Sequence, residues 1–341
     1  MKKLLLLLPL ALPGLGALKP ASQLAAPYYL HTAIRIGGVG SWNFLATDPD
    51  GERLYVTHGD RLEVVDLHAH KLLGTVPGTP TAHGVALVPA ANRGYVSCGR
   101  NNFVVAFNLK TLKNLGRIAS GSLPDAMLYD GYSKRVFAFS NDGGRTSVLD
   151  PARGQVVGTV ALGGNAKVGV SDEQGHIFVN LEDKSEVVEF DARTLAVLHR
   201  YPLAPGAEPT GLAYDPAHHR LFSGCANGKL IVLDSRDGHR VAVKPIGPGV
   251  AGVAFDAATH HIITTNGGDG TLTVIHQFKG ALYTVIATIP TAKGARTVAL
   301  DPRTHQLYTC TANFGPAPTA KVPRPQPTIV PGTFQVLAFG Q

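Results

Sequence analysis

Four ionisable side chains of different chemistry are spaced along the chain at multiples of about 42 residues, the length of several known structural repeats. They are His83, Asp125, Lys167 and Arg296. A histidine beside a carboxylate can act as a base that its partner holds in place. Lysine and arginine bind carboxylate or phosphate groups through charge-assisted hydrogen bonds. If the fold brings these residues together, the chain therefore carries either an acid–base pair or a site for an anion.

The elements that position these residues are seven sequence repeats, which align without gaps over a short core. Six repeats carry aspartate at one anchor position, and successive anchors lie 40 to 45 residues apart. The anchors are Asp48, Val88, Asp130, Asp172, Asp215, Asp256 and Asp301. The residues five positions before the anchors differ in type from repeat to repeat: Asn43, His83, Asp125, Lys167, Thr210, Ala251 and Arg296, with Trp42 preceding Asn43. Structural positions in a repeat should look alike, so this varied set indicates a differentiated surface.

Each repeat predicts four short strands joined by turns. In the first repeat, Asp48-Pro49-Asp50-Gly51 predicts a tight turn, in which proline presets φ and glycine supplies a positive φ. The Asp48 side chain is expected to accept backbone N–H groups within this turn. A four-stranded unit of this length is the size of a propeller blade, and a closed ring of blades protects the sheet edges. We therefore predict an all-β fold, a seven-bladed β-propeller of four-stranded antiparallel blades.

The two ends of the chain are predicted to share one blade. The last repeat supplies three strands before the chain stops at Gln341, whereas Tyr28–Ile36 resembles the outer strand of another repeat. An N-terminal strand should therefore complete the last blade and close the ring. The predicted domains are a signal peptide at 1–17 and one propeller at 18–341, with blades near 41–80, 81–123, 124–164, 165–206, 207–249, 250–294, and 295–341 plus 28–40.

Composition and charge narrow the class of protein. The 341 residues are 44% hydrophobic, which is enough to build a core and excludes a disordered chain. Lys2 and Lys3, followed by the apolar run Leu4–Leu12, predict a cleaved secretory signal, with an uncleaved anchor as the alternative. Without those two lysines the net charge falls from +7 to +5, and the basic residues form no stripe. We predict a monomeric bacterial protein, periplasmic or secreted, with no membrane span in the mature chain.

The cysteine and histidine patterns predict neither a disulfide nor a metal centre. The three cysteines fall on equivalent strands of different repeats and are expected to be small, buried and unpaired: Cys98, Cys225 and Cys310. Four histidines recur four residues after an anchor: His176, His219, His260 and His305. Equivalent turns in different blades should point apart, whereas ligands of one metal must converge. His58, at the end of a second strand, is a weaker candidate beside His83 for the mouth of the central channel.

The segment Tyr55-Val56-Thr57-His58 is close to the motif that names the YVTN-repeat (YncE-like) family of bacterial β-propellers. The Asp-Pro turn before it, the strand after it and the predicted export signal also fit, so nearly the whole mature chain resembles this family. The resemblance implies the fold. It implies no single function, because the motif residues build blades and propellers of lactonase-like or quinoprotein-like type share the geometry.

In such propellers the start of the inner strand lies at the channel mouth, so Trp42, Asn43, His83, Asp125, Lys167, Thr210 and Arg296 are the predicted ligand-binding residues. The alternative is a channel of ordinary polar residues satisfied by water. A Pro-rich insertion at 313–332 should project beside Arg296 as a lid, a docking arm or a tolerated insertion. The chain lacks a GxSxG elbow and a CxxCH haem motif, so we predict no catalytic residues and no cofactor.

Three functions remain open at this point. The favoured one is an exported binding or interaction propeller whose polar mouth takes a small anionic ligand or a protein partner. The second is a lactonase-like hydrolase that uses the same mouth. The third is a nonspecific binder of anionic polymers, including nucleic acid, which only the net charge supports.

Overall fold

The computed structural model describes residues 27–316 and 328–341. Within these residues the chain forms 28 strands in seven four-stranded sheets, and every pairing between neighbouring strands is antiparallel. Two single-turn 3-10 helices, Pro89–Ala91 and Gly99–Asn101, interrupt the second blade. No helix in the described part of the chain is both long and apolar enough to cross a membrane. The predicted all-β propeller of seven blades is confirmed. The predicted signal peptide and the middle of the Pro-rich insertion lie outside the described residues.

The first three blades follow β1 (Tyr29–Arg35) in the chain. Blade 1 contains β2 (Trp42–Thr47), β3 (Arg53–His58), β4 (Arg61–Asp66) and β5 (Lys71–Val76). Blade 2 contains β6 (Ala82–Val88), β7 (Arg93–Cys98), β8 (Phe103–Asn108) and β9 (Asn114–Ala119). Blade 3 contains β10 (Pro124–Asp130), β11 (Arg135–Ser140), β12 (Arg145–Asp150) and β13 (Gln155–Ala161).

Blades 4 to 6 repeat this order. Blade 4 contains β14 (Ala166–Ser171), β15 (His176–Leu181), β16 (Glu186–Asp191) and β17 (Val197–Pro202). Blade 5 contains β18 (Pro209–Asp215), β19 (Arg220–Cys225), β20 (Lys229–Asp234) and β21 (Arg240–Pro245). Blade 6 contains β22 (Val250–Asp256), β23 (His261–Asn266), β24 (Thr271–Phe278) and β25 (Leu282–Pro290).

Blade 7 combines both ends of the described chain. It contains β26 (Ala299–Asp301), β27 (Gln306–Thr311) and β28 (Gln335–Gly340), and its sheet has the order β1-β28-β27-β26. Ile34 on β1 lies opposite Val336 on β28. Ile34 packs into an apolar cluster that reaches Leu54 and Val56 of blade 1. The N-terminal strand is therefore the outer strand of blade 7 and contacts the next blade.

The core lies between the faces of neighbouring blades. The second strand of each blade is buried over most of its length, as in β3, because both of its faces meet apolar side chains of adjacent sheets. The outer strand β5 is mostly exposed. Cys98, Cys225 and Cys310 each lie at or near the buried end of a second strand as free thiols, which confirms their predicted role.

The anchor aspartate fixes the turn between the first two strands. One carboxylate oxygen of Asp48 accepts hydrogen bonds from the backbone N–H groups of Glu52 and Arg53, at 2.8 and 3.1 Å. Such local bonds replace ladder bonds that the turning backbone cannot make. The predicted structural role of Asp48 is confirmed, and it explains why the aspartate recurs without implying chemistry.

Candidate functional site

Hydroxyl groups of the second strands hold the backbone of the mouth residues. Thr57 of blade 1 donates to the carbonyl oxygen of His83 in blade 2, at 2.7 Å. In the same way Ser97 donates to the carbonyl of Asp125, and Thr265 to that of Arg296, each across a blade boundary. In blades 1, 2 and 6 the fifth residue of the second strand thus positions the mouth residue of the following blade. This contact gives Thr57, within the Tyr-Val-Thr segment, a role in building the mouth.

Three mouth residues form a row of close polar contacts that crosses blades 2 to 4. His83 Nδ1 lies 2.5 Å from Asp125 Oδ1, although the angle is not that of a hydrogen bond. Lys167 Nζ lies 3.7 Å from Asp125 Oδ2 and 3.2 Å from Glu182 Oε2. Asp125 is almost fully buried, whereas 33% of the His83 side chain is exposed. The lysine therefore already has two carboxylate partners.

Arg296 stands on the other side of the mouth, between blades 7 and 1. Its Nη2 donates to the carbonyl oxygen of Trp42 at 2.7 Å and to Asn43 Oδ1 at 3.3 Å. Burial lowers the pKa of the Arg296 guanidinium below its ordinary value, while nearby Cys310 and Asp125 act in the opposite direction. Within residues 27–316 and 328–341, no carboxylate lies within 4.0 Å of this guanidinium. The group is therefore a partly buried cation with no carboxylate adjacent to it in that part of the chain, and Asp125 acts on it only from beyond 4.0 Å.

The remaining predicted residues support the mouth. Thr210 donates to the carbonyl oxygen of Val250 in the next blade, at 2.7 Å. Asn43 Nδ2 lies 3.4 Å from the carbonyl oxygen of Ala82. Trp42 donates from its indole N–H to the Gly294 carbonyl at 3.2 Å. These bonds, with those of Lys167 and Arg296, show that the mouth side chains also link neighbouring blades.

Five of the seven predicted residues line two neighbouring cavities, whereas Lys167 and Thr210 line neither of them. The first, which we call the His83 cavity, has a volume of about 470 Å³ and is lined by Asn43, His83 and Asp125 among other residues. The second, the Arg296 cavity, has a volume of about 900 Å³ and is lined by Trp42, Lys293, Arg296 and Phe314 among others. Lys167 does not line the cavity that contains Arg296, so the two cations do not share one cavity wall.

Below the mouth the channel narrows between apolar inner strands. A cavity of about 160 Å³ is lined mainly by residues such as Phe44, Val85, Met127, Val168 and Leu212. Phe44 reaches from blade 1 to the apolar cluster that contains Ala126. No ionisable side chain of the described residues lines this narrow part, so charged side chains that could meet a charged ligand lie in the two mouth cavities.

His58 does not belong to the mouth surface. Its side chain is fully buried, its Nδ1 lies 3.2 Å from Glu63 Oε1, and its ring stacks on Phe334 at 3.9 Å between centroids. The candidacy of His58 as a mouth residue is therefore wrong. The residues next to His58 in sequence do not reveal its burial, because its stacking partner Phe334 lies more than 270 positions away.

The turn histidines are closer together than the sequence suggested. The rings of His218 and His260, from blades 5 and 6, lie 6.2 Å apart between centroids. His305 Nδ1 lies 2.9 Å from the Asp256 carboxylate of the preceding blade. Equivalent turns therefore do contact their neighbours. Even so, no three His, Cys, Asp or Glu side chains among the described residues are placed to hold one metal ion.

Sequence reasoning missed three residues of the mouth. Glu182 follows a second strand, on the side where the mouth was expected, and it pairs with Lys167. Lys293 and Phe314 line the Arg296 cavity. Phe314 belongs to the start of the Pro-rich insertion, and its ring lies 6.0 Å from Trp42 between centroids. The position of the insertion beside Arg296 was a usable signal, but it did not identify the aromatic residue.

No family model and no curated protein matches the chain in sequence. Solved structures resemble it in fold. A chain of Kuenenia stuttgartiensis hydrazine synthase has a TM-score of 0.72 at 15% identity, covering 82% of this chain and 94% of that one. A chain of a mitotic checkpoint complex has a TM-score of 0.73 at 16% identity, covering 89% of this chain and 94% of that one. At such identities the likeness shows the propeller fold alone, and the YVTN-family resemblance stays a prediction.

Proposed function

We propose that this chain is an exported binding propeller whose mouth takes a small anionic ligand in the Arg296 cavity. One observation carries the proposal: Arg296 is partly buried in the wall of this cavity and has no carboxylate within 4.0 Å among the described residues. Withdrawing part of a cation from water without an adjacent counter-charge is unfavourable, because the protein replaces its hydration incompletely. An anion that enters the cavity would supply the missing counter-charge, and export rests on the predicted signal segment alone.

The contrast with Lys167 supports the choice of Arg296. Lys167 is the other cation of the predicted ring, but Asp125 and Glu182 already lie within 4 Å of it. Only Nη2 of Arg296 has acceptors among the described residues, namely the Trp42 carbonyl and the Asn43 side chain. Nε and Nη1 are therefore the donors left to bind an anion, and Lys293 adds a second positive charge to the same cavity.

A direct test uses inorganic phosphate and acetate as probes. Trp42 is the single tryptophan of the chain and lines the cavity, so its fluorescence reports occupation. We expect saturable binding that Arg296→Gln weakens by about 10- to 150-fold, the effect of losing a hydrogen bond to a charged group. Arg100→Gln, an exposed arginine at the rim of the His83 cavity, is the matched control. Absence of saturable binding, or equal effects of both variants, would contradict the proposal.

A second candidate function is the lactonase-like hydrolase, which the 2.5 Å contact between His83 and Asp125 favours. His83 would take a proton from water, the water oxygen would bond to the lactone carbonyl carbon, and the proton would pass to the alkoxide as the ring C–O bond breaks. Asp125 would stabilise the protonated ring. Hydrolysis of a simple γ-lactone that His83→Gln abolishes would support this function, and a rate equal to that of buffer would exclude that reaction.

Binding of nucleic acid or another anionic polymer is a third candidate, and only the net charge supports it. Affinity for a single-stranded oligonucleotide would then fall steeply with salt. The ligand proposed for the Arg296 cavity would respond to salt much less, because one buried contact releases few counterions.

A further inference from the structure

We infer that the ligand of the Arg296 cavity is a small aromatic carboxylate, an inference that rests on the proposed function of that cavity. The carboxylate would accept from Nε and Nη1 of Arg296, with Lys293 nearby. The ring would lie against Phe314. The combination of a cationic end and an aromatic wall in one cavity is what selects this class of ligand.

The apolar wall of the cavity is built around an aromatic pair. Trp42, Phe314 and Ile329 all line the cavity, and the ring centroids of Trp42 and Phe314 lie 6.0 Å apart. Trp42 is 2% exposed, whereas Phe314 is 36% exposed. Of the two aromatic residues, Phe314 therefore has the larger area left for contact with a ligand. Aromatic rings prefer another ring at offset or edge geometry over a plain aliphatic surface.

Glycines keep the two ends of the cavity open. A Cβ atom at Gly294, where φ is +83°, would lie 2.6 Å from the Phe314 ring. A Cβ atom at Gly267 would lie 2.7 Å from Cβ of Arg296. Contacts this short cannot be accommodated without movement, so any larger residue would displace Phe314 or Arg296. The absence of side chains at Gly294 and Gly267 therefore lets Phe314 and Arg296 keep their positions in the wall of this cavity.

The size of the cavity fits a small molecule better than a single ion. Its volume of about 900 Å³ lies in the range of sites for drug-sized ligands. A simple ion bound at Arg296 would leave most of this space and the exposed face of Phe314 to water. A ligand that adds an aromatic body to its carboxylate removes this apolar surface from water as well.

Four probes separate charge, apolar area and aromaticity: acetate, benzoate, benzamide and cyclohexanecarboxylate. They are titrated by calorimetry and by Trp42 fluorescence. We expect benzoate to bind at least about tenfold more tightly than acetate, because binding buries its ring. We expect the same minimum difference between benzoate and benzamide, because benzamide lacks the negative charge. Benzoate should also exceed cyclohexanecarboxylate by at least about twofold, because the latter has equal apolar bulk without aromatic contact.

Variants then assign each part of the ligand to a residue. Phe314→Ala should weaken benzoate by about three- to tenfold and leave acetate unchanged. Arg296→Gln should weaken both carboxylates. Phe278→Ala is the matched control, because Phe278 is 44% exposed and lies outside the cavity. Melting curves of each variant confirm that the fold is retained.

The results distinguish the two levels of the proposal. If acetate binds through Arg296 but benzoate binds no more tightly, the aromatic inference is wrong and the anion site stands. If cyclohexanecarboxylate equals benzoate, or Phe314→Ala has no effect on benzoate, the aromatic inference is likewise wrong. If neither phosphate nor any carboxylate binds, the proposed function itself is wrong.

Discussion

Replacing Ile34 tests whether the N-terminal strand holds the ring of blades together. Ile34 is 2% exposed on β1, and it packs with residues of blades 7 and 1. Truncation to alanine removes buried methyl groups and leaves a cavity that the rigid sheets fill only partly. If β1 closes the ring, Ile34→Ala should therefore lower the free energy of unfolding of the whole protein and not only loosen the N-terminal strand.

The expected loss follows from burial. Isoleucine-to-alanine changes at fully buried positions cost about 2–5 kcal/mol. Leu30 lies on the same strand but is 52% exposed, so Leu30→Ala should change the free energy of unfolding by about 0.5 kcal/mol or less. Tyr28 is also fully buried, against blade 6 residues such as Ile263 and Leu272. Removing residues 27–36 deletes both buried side chains. The expected loss in the free energy of unfolding is comparable with the whole stability of a typical domain, about 5–15 kcal/mol.

The assay is urea unfolding followed by Trp42 fluorescence and by far-UV circular dichroism. Coincident transitions would show that the whole ring unfolds cooperatively. The chain shortened by residues 27–36 should be strongly destabilised, and a synthetic peptide of that segment added in trans should restore stability as its concentration rises. Equal effects of Ile34→Ala and Leu30→Ala, or a shortened protein that unfolds like the full chain, would refute the closing role of β1.

Two further predictions concern titratable groups of the core. Burial raises the pKa of Cys98 to about 12 and of Cys225 to about 11, and it raises the pKa of Cys310 further. A thiol reagent should therefore label none of the three cysteines in the native protein and all three in urea. Rapid labelling of the native protein would contradict their burial. Burial, followed by the neighbouring His276, lowers the pKa of His261 in the folded protein. The stabilising contribution of neutral His261 is therefore complete above the unfolded pKa of about 6.5 and is lost as pH falls through that value toward the folded pKa. The melting temperature of His261→Asn should therefore fall less than that of the parent between about pH 7.5 and 5. Parallel plots of melting temperature against pH for the two proteins would disprove the assignment.

The sequence by itself determined the blades, because the forces that form them act over short distances along the chain. Each repeat carries the apolar run of a buried second strand. Each aspartate anchor makes local bonds to its own turn, as Asp48 does with Glu52 and Arg53. A repeat interval near 42 residues then sets the number of units. Fold class and the burial of the three cysteines could therefore be predicted from one sequence.

The sequence also placed candidate mouth residues at one repeat position, but it did not reveal which of them pair. It placed His83, Asp125 and Lys167 at one repeat position, and the structure joins them in one row of polar contacts. It grouped Lys167 with Arg296 because both are cations, although the structure puts only Arg296 in the large cavity. The partner that neutralises Lys167, Glu182, lies outside the repeat position that was compared.

Only the tertiary structure decided which side chains share a cavity. Trp42 meets the Gly294 carbonyl, and Arg296 meets the Trp42 carbonyl, across more than 250 residues of chain. Phe314 enters the same cavity from an insertion, at a position with no equivalent in the other repeats. The burial of His58 likewise depends on a distant residue, because its ring stacks on Phe334. Ring closure brings blade 7 against blade 1, and no local pattern encodes the contacts made at that boundary.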